Sequence, residues 1–161
     1  MNIYFAAPLF SQSDTLFNSY LVKKIREISP QVKVYLPQEN GEINDKQAYA
    51  DSKMIAKADT EKVLESDLLV AILDGQTIDP GVASEIGVAY AKNIPIVGLY
   101  TDTRQQGGDN AKKLEALQIP GENQFHYLNL YTVGLIKLNG EIYSDEEGIL
   151  SHIRQFISKE L

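Results

Sequence analysis

A doubly wound α/β domain on a mostly parallel sheet is the fold this sequence predicts, and three observations point to it. Strand-like and helix-like apolar patterns alternate along the chain, as βα units require. The run Leu68-Leu-Val-Ala-Ile-Leu73 is apolar without interruption, which suits a strand buried on both faces of a parallel sheet. A helical stretch rich in small residues and the run Ile94-Pro-Ile-Val-Gly-Leu-Tyr100 then complete a strand–helix–strand unit. With 161 residues the chain is the length of one ordinary domain. A single domain over residues 1–161 is therefore expected, with flavodoxin-like or Rossmann-like winding.

The elements follow in order. Residues 2–5 carry Ile3, Tyr4 and Phe5 and read as the first strand, stopped by Pro8. After the loop 9–13, Ser13 or Asp14 can cap a helix. Leu16, Phe17, Tyr20, Leu21, Ile25 and Ile28 recur in it at helical spacing up to the break at Ser29-Pro30. Residues 32–36 read as a second strand ended by Pro37, and the polar stretch 38–45, with Asn40-Gly41, as an exposed loop. The weak apolar spacing of Tyr49, Met54, Ile55, Ala58, Val63 and Leu64 predicts a helix over 46–65, whole or interrupted. Residues 68–73 are the expected central strand, 81–92 a helix through Ile86, Ala89 and Tyr90, and 94–100 another strand. Residues 101–110 are a loop and 111–117 a helical turn, while strand and helix signals stay mixed over 125–138. Ile149, Leu150, Ile153, Phe156 and Ile157 give an amphipathic helix over 146–161. No internal repeat or linker interrupts this order.

Composition removes whole classes of function. The chain is 43% hydrophobic and 23% charged, as in an average globular protein. It has no Cys, which excludes disulfide scaffolds, thiol nucleophiles, Cys-ligated zinc and iron–sulfur clusters. Two His, His126 and His152, leave little for a His-based metal site or a Ser-His-Asp triad. A net charge of -7 and a pI near 4.8 have the wrong sign for a nucleic-acid binder. No apolar run reaches the ~20 residues of a membrane span, and no basic-then-apolar leader precedes the first strand. A cytoplasmic protein without membrane or nucleic-acid partners is expected.

In open α/β sheets, ligands bind outside the carboxyl ends of the strands. That rule selects residues 4–10, 36–45, 73–85 and 100–109, of which the third is richest. There Asp74, Asp79 and Glu85 stand on a loop and the first turns of the next helix, with Gly81, Ala83, Ser84 and Gly87 small enough to admit a flat ring. Taken alone, each has an ordinary use: acids in a first turn complement the helix dipole, and small residues pack a helix on a sheet. By the same standard Asp59 is a solvated charge, Tyr4 a core residue and Asp74-Gly75 a turn. The first strand is followed by Ala6-Ala7-Pro8 rather than G-x-G-x-x-G, and no P-loop Gly-Lys-Ser/Thr occurs. Three acids can offer oxygens to Mg²⁺, but such sites also lean on substrate phosphates, which nothing here clearly recruits. Neither metal nor cofactor is expected.

Together these residues resemble the nucleoside 2-deoxyribosyltransferase family. The match runs from Ile3-Tyr4-Phe5-Ala-Ala-Pro-Leu-Phe10 through Ala58-Asp59 to Asp79-Pro-Gly-Val-Ala-Ser-Glu85-Ile-Gly87 and Asn129-Leu-Tyr-Thr-Val-Gly134. The resemblance implies a doubly wound α/β fold. It also implies transfer of 2-deoxyribose from a 2′-deoxynucleoside to a free nucleobase, in nucleotide salvage, through a covalent deoxyribosyl ester. Glu85 would be the nucleophile, Asp59 the acid and base at the nucleobase, and Tyr4 the phenol that orients Glu85. Asp79 would bind sugar hydroxyls beside Gly81, and Asn129 would reach into a neighbouring subunit's site of a homo-oligomer. The loop 38–40, with Asn40, lies where the family meets the base, and Phe10 or Ile43 can equally stack on the ring. The chemistry is that of a retaining glycosidase with a nucleobase replacing water.

Two rivals remain at this stage. One resembles the 2′-deoxynucleoside 5′-phosphate N-hydrolases, where water resolves the ester and Ser11, Ser13 and Ser84 would serve the phosphate. The other is a nucleotide-sensing module without turnover. The base preference is not readable from spacing.

Overall fold

The structure is a computed structural model describing residues 1–44 and 49–160. Strand β1 (Asn2–Ala6) leads into α1 (Gln12–Arg26), then β2 (Lys33–Tyr35) and a 3₁₀ turn (Pro37–Glu39). Helices α2 (Gly41–Asn44) and α3 (Ser52–Leu64) precede β3 (Leu68–Ile72), α4 (Pro80–Ala91) and β4 (Ile96–Leu99). A 3₁₀ turn (Thr103–Gln105), α5 (Ala111–Ala116), α6 (Leu130–Leu138), β5 (Gly140–Tyr143) and α7 (Glu146–Glu160) complete the order.

All strand pairs are parallel and the sheet order is β2-β1-β3-β4-β5, the flavodoxin-like winding. The expected fold class is the observed one. Helices α1 and α7 cover one face through Leu21, Val22, Ile25, Ile149 and Ile153. Helices α3, α4 and α6 cover the other through Val63, Val82, Ile86 and Ile136. Because the chain leaves β1 toward one face and β3 toward the other, the carboxyl ends of these neighbours part and open a crevice. No described helix is long and apolar enough to cross a membrane.

The sequence reading needs local corrections. Helix α1 is capped by Ser11 rather than Ser13 or Asp14, in a capping box that the Asp14 carboxylate closes by accepting from the Ser11 N–H. The helix expected over 46–65 is α3 alone within the described residues, begun by the Asp51 cap; positions 45–48 of the expected loop and helix, and Leu161 of the last helix, lie outside them. The loop expected from residue 38 contains a 3₁₀ turn and α2. The mixed signals over 125–138 resolve into an irregular lead and α6. Strand β5 went unread because it is an edge of four residues opening on glycine. At Gly140 a Cβ would lie 1.7 Å from the Ile96 carbonyl oxygen, so only glycine admits this approach to β4.

Candidate active site

Three elements meet at the crevice. Tyr4 on β1 is sealed beneath α3 and α4, 0% exposed, with only its hydroxyl able to act. That hydroxyl donates to Glu85 Oε1 at 2.6 Å. Burial and the Glu85 charge push the phenol far above its usual range, so Tyr4 stays a donor at every pH of interest.

Glu85 stands in the second turn of α4, whose start is set by local sequence. Pro80 occupies the first helical position, where its missing N–H costs nothing. Asp79 caps the helix, its Oδ1 accepting from the Gly81 N–H at 2.8 Å and the Val82 N–H at 3.1 Å. A Cβ on residue 81 would lie 3.0 Å from that oxygen, so glycine keeps the cap open. With Oδ1 held, Asp79 Oδ2 makes no hydrogen bond to a described residue. Burial lifts the Glu85 carboxyl to about 7; the Tyr4 hydrogen bond opposes the rise, and the Asp59 and Asp79 charges add to it.

Asp59 faces this group from α3. It is half-buried, burial raises its pKa, and it makes no hydrogen bond or ion pair to a described residue. Asp59 and Glu85 thus share a cavity, and the Tyr4 O–H is bonded to Glu85. The Tyr4 hydrogen bond favours the anion at Glu85, against the burial and the neighbouring charges that raise its carboxyl.

The cavity measures about 350 Å³. Asp59, Asp79, Gly81 and Glu85 form its polar side, and Leu9, Phe10, Pro37, Ile43 and Ile55 its apolar side. Phe10 is 81% exposed at the rim, where its ring is free to stack on a planar ligand. A second cavity of about 350 Å³ shares Ile55, Asp59, Gly81 and Glu85 and extends between α3 and α4 to Val63 and Val88. No Lys or Arg among the described residues lines either one.

Six of the sequence-selected residues therefore converge: Tyr4, Phe10, Asp59, Asp79, Gly81 and Glu85. Asn129 and Asn40 stand apart from this group. Asn129 is exposed and caps α6, accepting from the Thr132 N–H at 3.1 Å. Asn40 donates to the Tyr35 hydroxyl at 3.0 Å. Asp74, the third acid of the loop, accepts from both the Thr101 N–H and its hydroxyl, each at 2.7 Å; it joins β3 to β4 and stands outside the cavity.

The sequence reading passed over Tyr35, whose ring stacks on Tyr4 with centroids 5.5 Å apart. Its signal was a phenol on the last position of a short strand, in parity with Tyr4 on the neighbouring strand. It also passed over His126, buried between the Tyr100 hydroxyl at 2.7 Å and the Gln76 carbonyl at 2.9 Å.

A family model described as nucleoside 2-deoxyribosyltransferase matches residues 3–131. No curated protein matches the chain. A solved structure of a conserved protein from Enterococcus faecalis is 69% identical, with a TM-score of 0.92 over 96% of this chain and 98% of that one. A 2-deoxyribosyltransferase from Bacillus psychrosaccharolyticus is 19% identical, with a TM-score of 0.64 over 93% of this chain and 90% of that one. A 2-desoxiribosyltransferase from Leishmania mexicana is likewise 19% identical, with a TM-score of 0.64 over 96% and 97%. At such identity the last two speak for the fold.

Proposed function

Because the chain belongs to the nucleoside 2-deoxyribosyltransferase family, we propose that it moves 2-deoxyribose from a 2′-deoxynucleoside to an acceptor nucleobase. The observation that carries this reading is the Tyr4 hydroxyl held 2.6 Å from Glu85 Oε1, beside an Asp59 that no described residue engages.

In the first step a Glu85 carboxylate oxygen bonds to the anomeric carbon as the bond to the nucleobase breaks. Asp59 delivers its proton to the departing ring nitrogen. The negative charge of Glu85 faces the oxocarbenium-like centre, and formation of the ester neutralises it. In the second step a ring nitrogen of the acceptor base attacks the same carbon and gives its proton to Asp59, and Glu85 leaves as the carboxylate. Two inversions give retention. Asp79 holds sugar hydroxyls through the oxygen its cap leaves unused, next to Gly81, and Phe10 stacks on the base.

Asn129 serves a neighbouring copy in a homo-oligomer. Tyr127, Leu130 and Tyr131 around it are 66%, 83% and 77% exposed, a surface suited to burial against a second chain. The same reading places the protein in nucleotide salvage in the cytoplasm.

The lining favours a free 5′-hydroxyl over a 5′-phosphate. Its charged groups among the described residues are carboxylates. Ser11 and Ser13 are bonded to each other at 2.8 Å, Asp14 already places an anion at the start of α1, and the Ser84 hydroxyl donates to the Pro80 carbonyl at 2.8 Å. Incubation with 2′-deoxyinosine or thymidine plus excess adenine, followed by chromatography, tests the reading. Formation of 2′-deoxyadenosine is expected. Base release only from 2′-deoxynucleoside 5′-phosphates would make the protein a hydrolase, and inertness toward both a binding module.

A further inference from the structure

Three contacts join end to end behind Glu85. Asn40 Nδ2 donates to the Tyr35 hydroxyl at 3.0 Å. The Tyr35 ring stacks on the Tyr4 ring, with centroids 5.5 Å apart and planes at 29°. The Tyr4 hydroxyl donates to Glu85 Oε1 at 2.6 Å. The tyrosines are register partners on adjacent parallel strands, so the pleat sends both rings to the same face of the sheet. Neither Asn40 nor Tyr35 lines the cavities that hold the carboxylates.

A phenol O–H lies in the plane of its ring, so turning the ring about its soft terminal torsion leaves the oxygen in place but carries the proton out of line with its acceptor. Tyr4 has β1 beneath it and helices above; the side toward β2 is closed by Tyr35. We propose that Tyr35, anchored by Asn40, is a positioning residue for the nucleophile: its ring holds the Tyr4 phenol in the orientation that donates to Glu85. The inference rests on Glu85 being the nucleophile of the transfer. Asn40 then acts through Tyr35 and Tyr4 rather than by selecting the base.

A carbon-13 NMR titration of the side-chain carboxyls in the whole protein tests this, with Glu85 assigned by its disappearance in Glu85→Gln. The groups that face Glu85 are Tyr4 on β1, Asp59 on α3 and the Asp79 cap of α4; Lys62 on α3 acts on Tyr35. Because the Tyr4 bond favours the charged form, freeing Tyr4 moves the Glu85 midpoint upward. Tyr35→Leu is expected to raise it by roughly half a pH unit or more, and to lower kcat several-fold with little change in KM. Tyr4→Phe gives the full rise, and Tyr35→Leu added to it moves the midpoint no further. Tyr35→Phe restores most of the wild-type midpoint, and Asn40→Ala moves it no further in the Tyr4→Phe background.

An unmoved midpoint in folded Tyr35→Leu overturns the proposal, as does a shift that persists in the Tyr4→Phe background. If Tyr35→Leu does not fold, the Tyr35→Phe and Asn40→Ala variants decide: a midpoint shift in either one that persists in the Tyr4→Phe background overturns it. The titration needs no turnover, so an inactive wild-type protein would defeat the transferase reading separately.

Discussion

Two groups of acids stand on the same edge of the sheet and behave in opposite ways. Above β3 and β4, Asp74 accepts two hydrogen bonds from Thr101. Asp102 there is paired with Arg104, whose hydrogen bonds hold its carboxyl down to about 2. Above β1 and β3, Asp59 has no described partner and Glu85 has one phenol; burial raises both, Glu85 to about 7. Residue type and sheet position are alike, and partners differ. Acids whose lone pairs are filled hold loops together, whereas acids left short of donors in a cavity are poised to exchange protons and make bonds.

The sharpest way to break that contrast is to remove Glu85. Glu85→Ala is expected to lower transfer by three or more orders of magnitude while the fold survives, read by product formation and thermal melting. Turnover near the wild-type level would end the nucleophile assignment.

Asp59→Asn comes next. Its loss should be roughly 10²-fold or more with natural bases and much smaller with substrates whose leaving group needs no proton. Equal losses with both substrate classes would remove Asp59 from the acid role.

Titration gives a graded effect. Glu85 must be ionised to attack, so kcat/KM should fall as pH drops through about 7, tenfold per unit well below it. The sign for stability is the reverse. A folded pKa above the unfolded 4.5 means that ionisation disfavours the folded state as pH rises through 4.5 to 7. Glu85→Gln should therefore be more stable than wild type above pH 7, by on the order of 3 kcal/mol, and should match it near pH 4. A pH-independent difference would show that the charge is not the cause.

The smallest effect belongs to the paired acids. Asp74→Ala should cost about 1–2 kcal/mol of stability through the Thr101 groups left unbonded, with kcat/KM within about twofold of wild type. A large loss of activity at unchanged stability would bring Asp74 into the site and blur the contrast.

Much of this was legible in the sequence. The unbroken apolar run of β3 and the alternation of elements carried the fold class, because a strand covered on both faces leaves no other pattern. Glu85 and Asp79 were legible because Pro80 marks the helix start and Gly81 admits the cap. Asp59 was visible only through family resemblance: on a weakly amphipathic helix its burial depends on α4 lying alongside, which no local pattern encodes. The uses of Asp74 and Asn40 were hidden for the same reason, since their partners Thr101 and Tyr35 arrive through strand pairing and loop packing. Edge strand β5 escaped because it is short and begins at a glycine required by a contact 44 residues away in sequence, between Gly140 and Ile96.

The most direct test of the central claim is to trap the intermediate. The protein would be mixed with a 2′-deoxynucleoside in the absence of acceptor, quenched, digested and examined by mass spectrometry. The account predicts one added deoxyribosyl group on the peptide containing Glu85, lost as 2′-deoxyadenosine when adenine is supplied before the quench. An adduct on another residue, or active protein that carries none while its product shows inverted configuration, would contradict it.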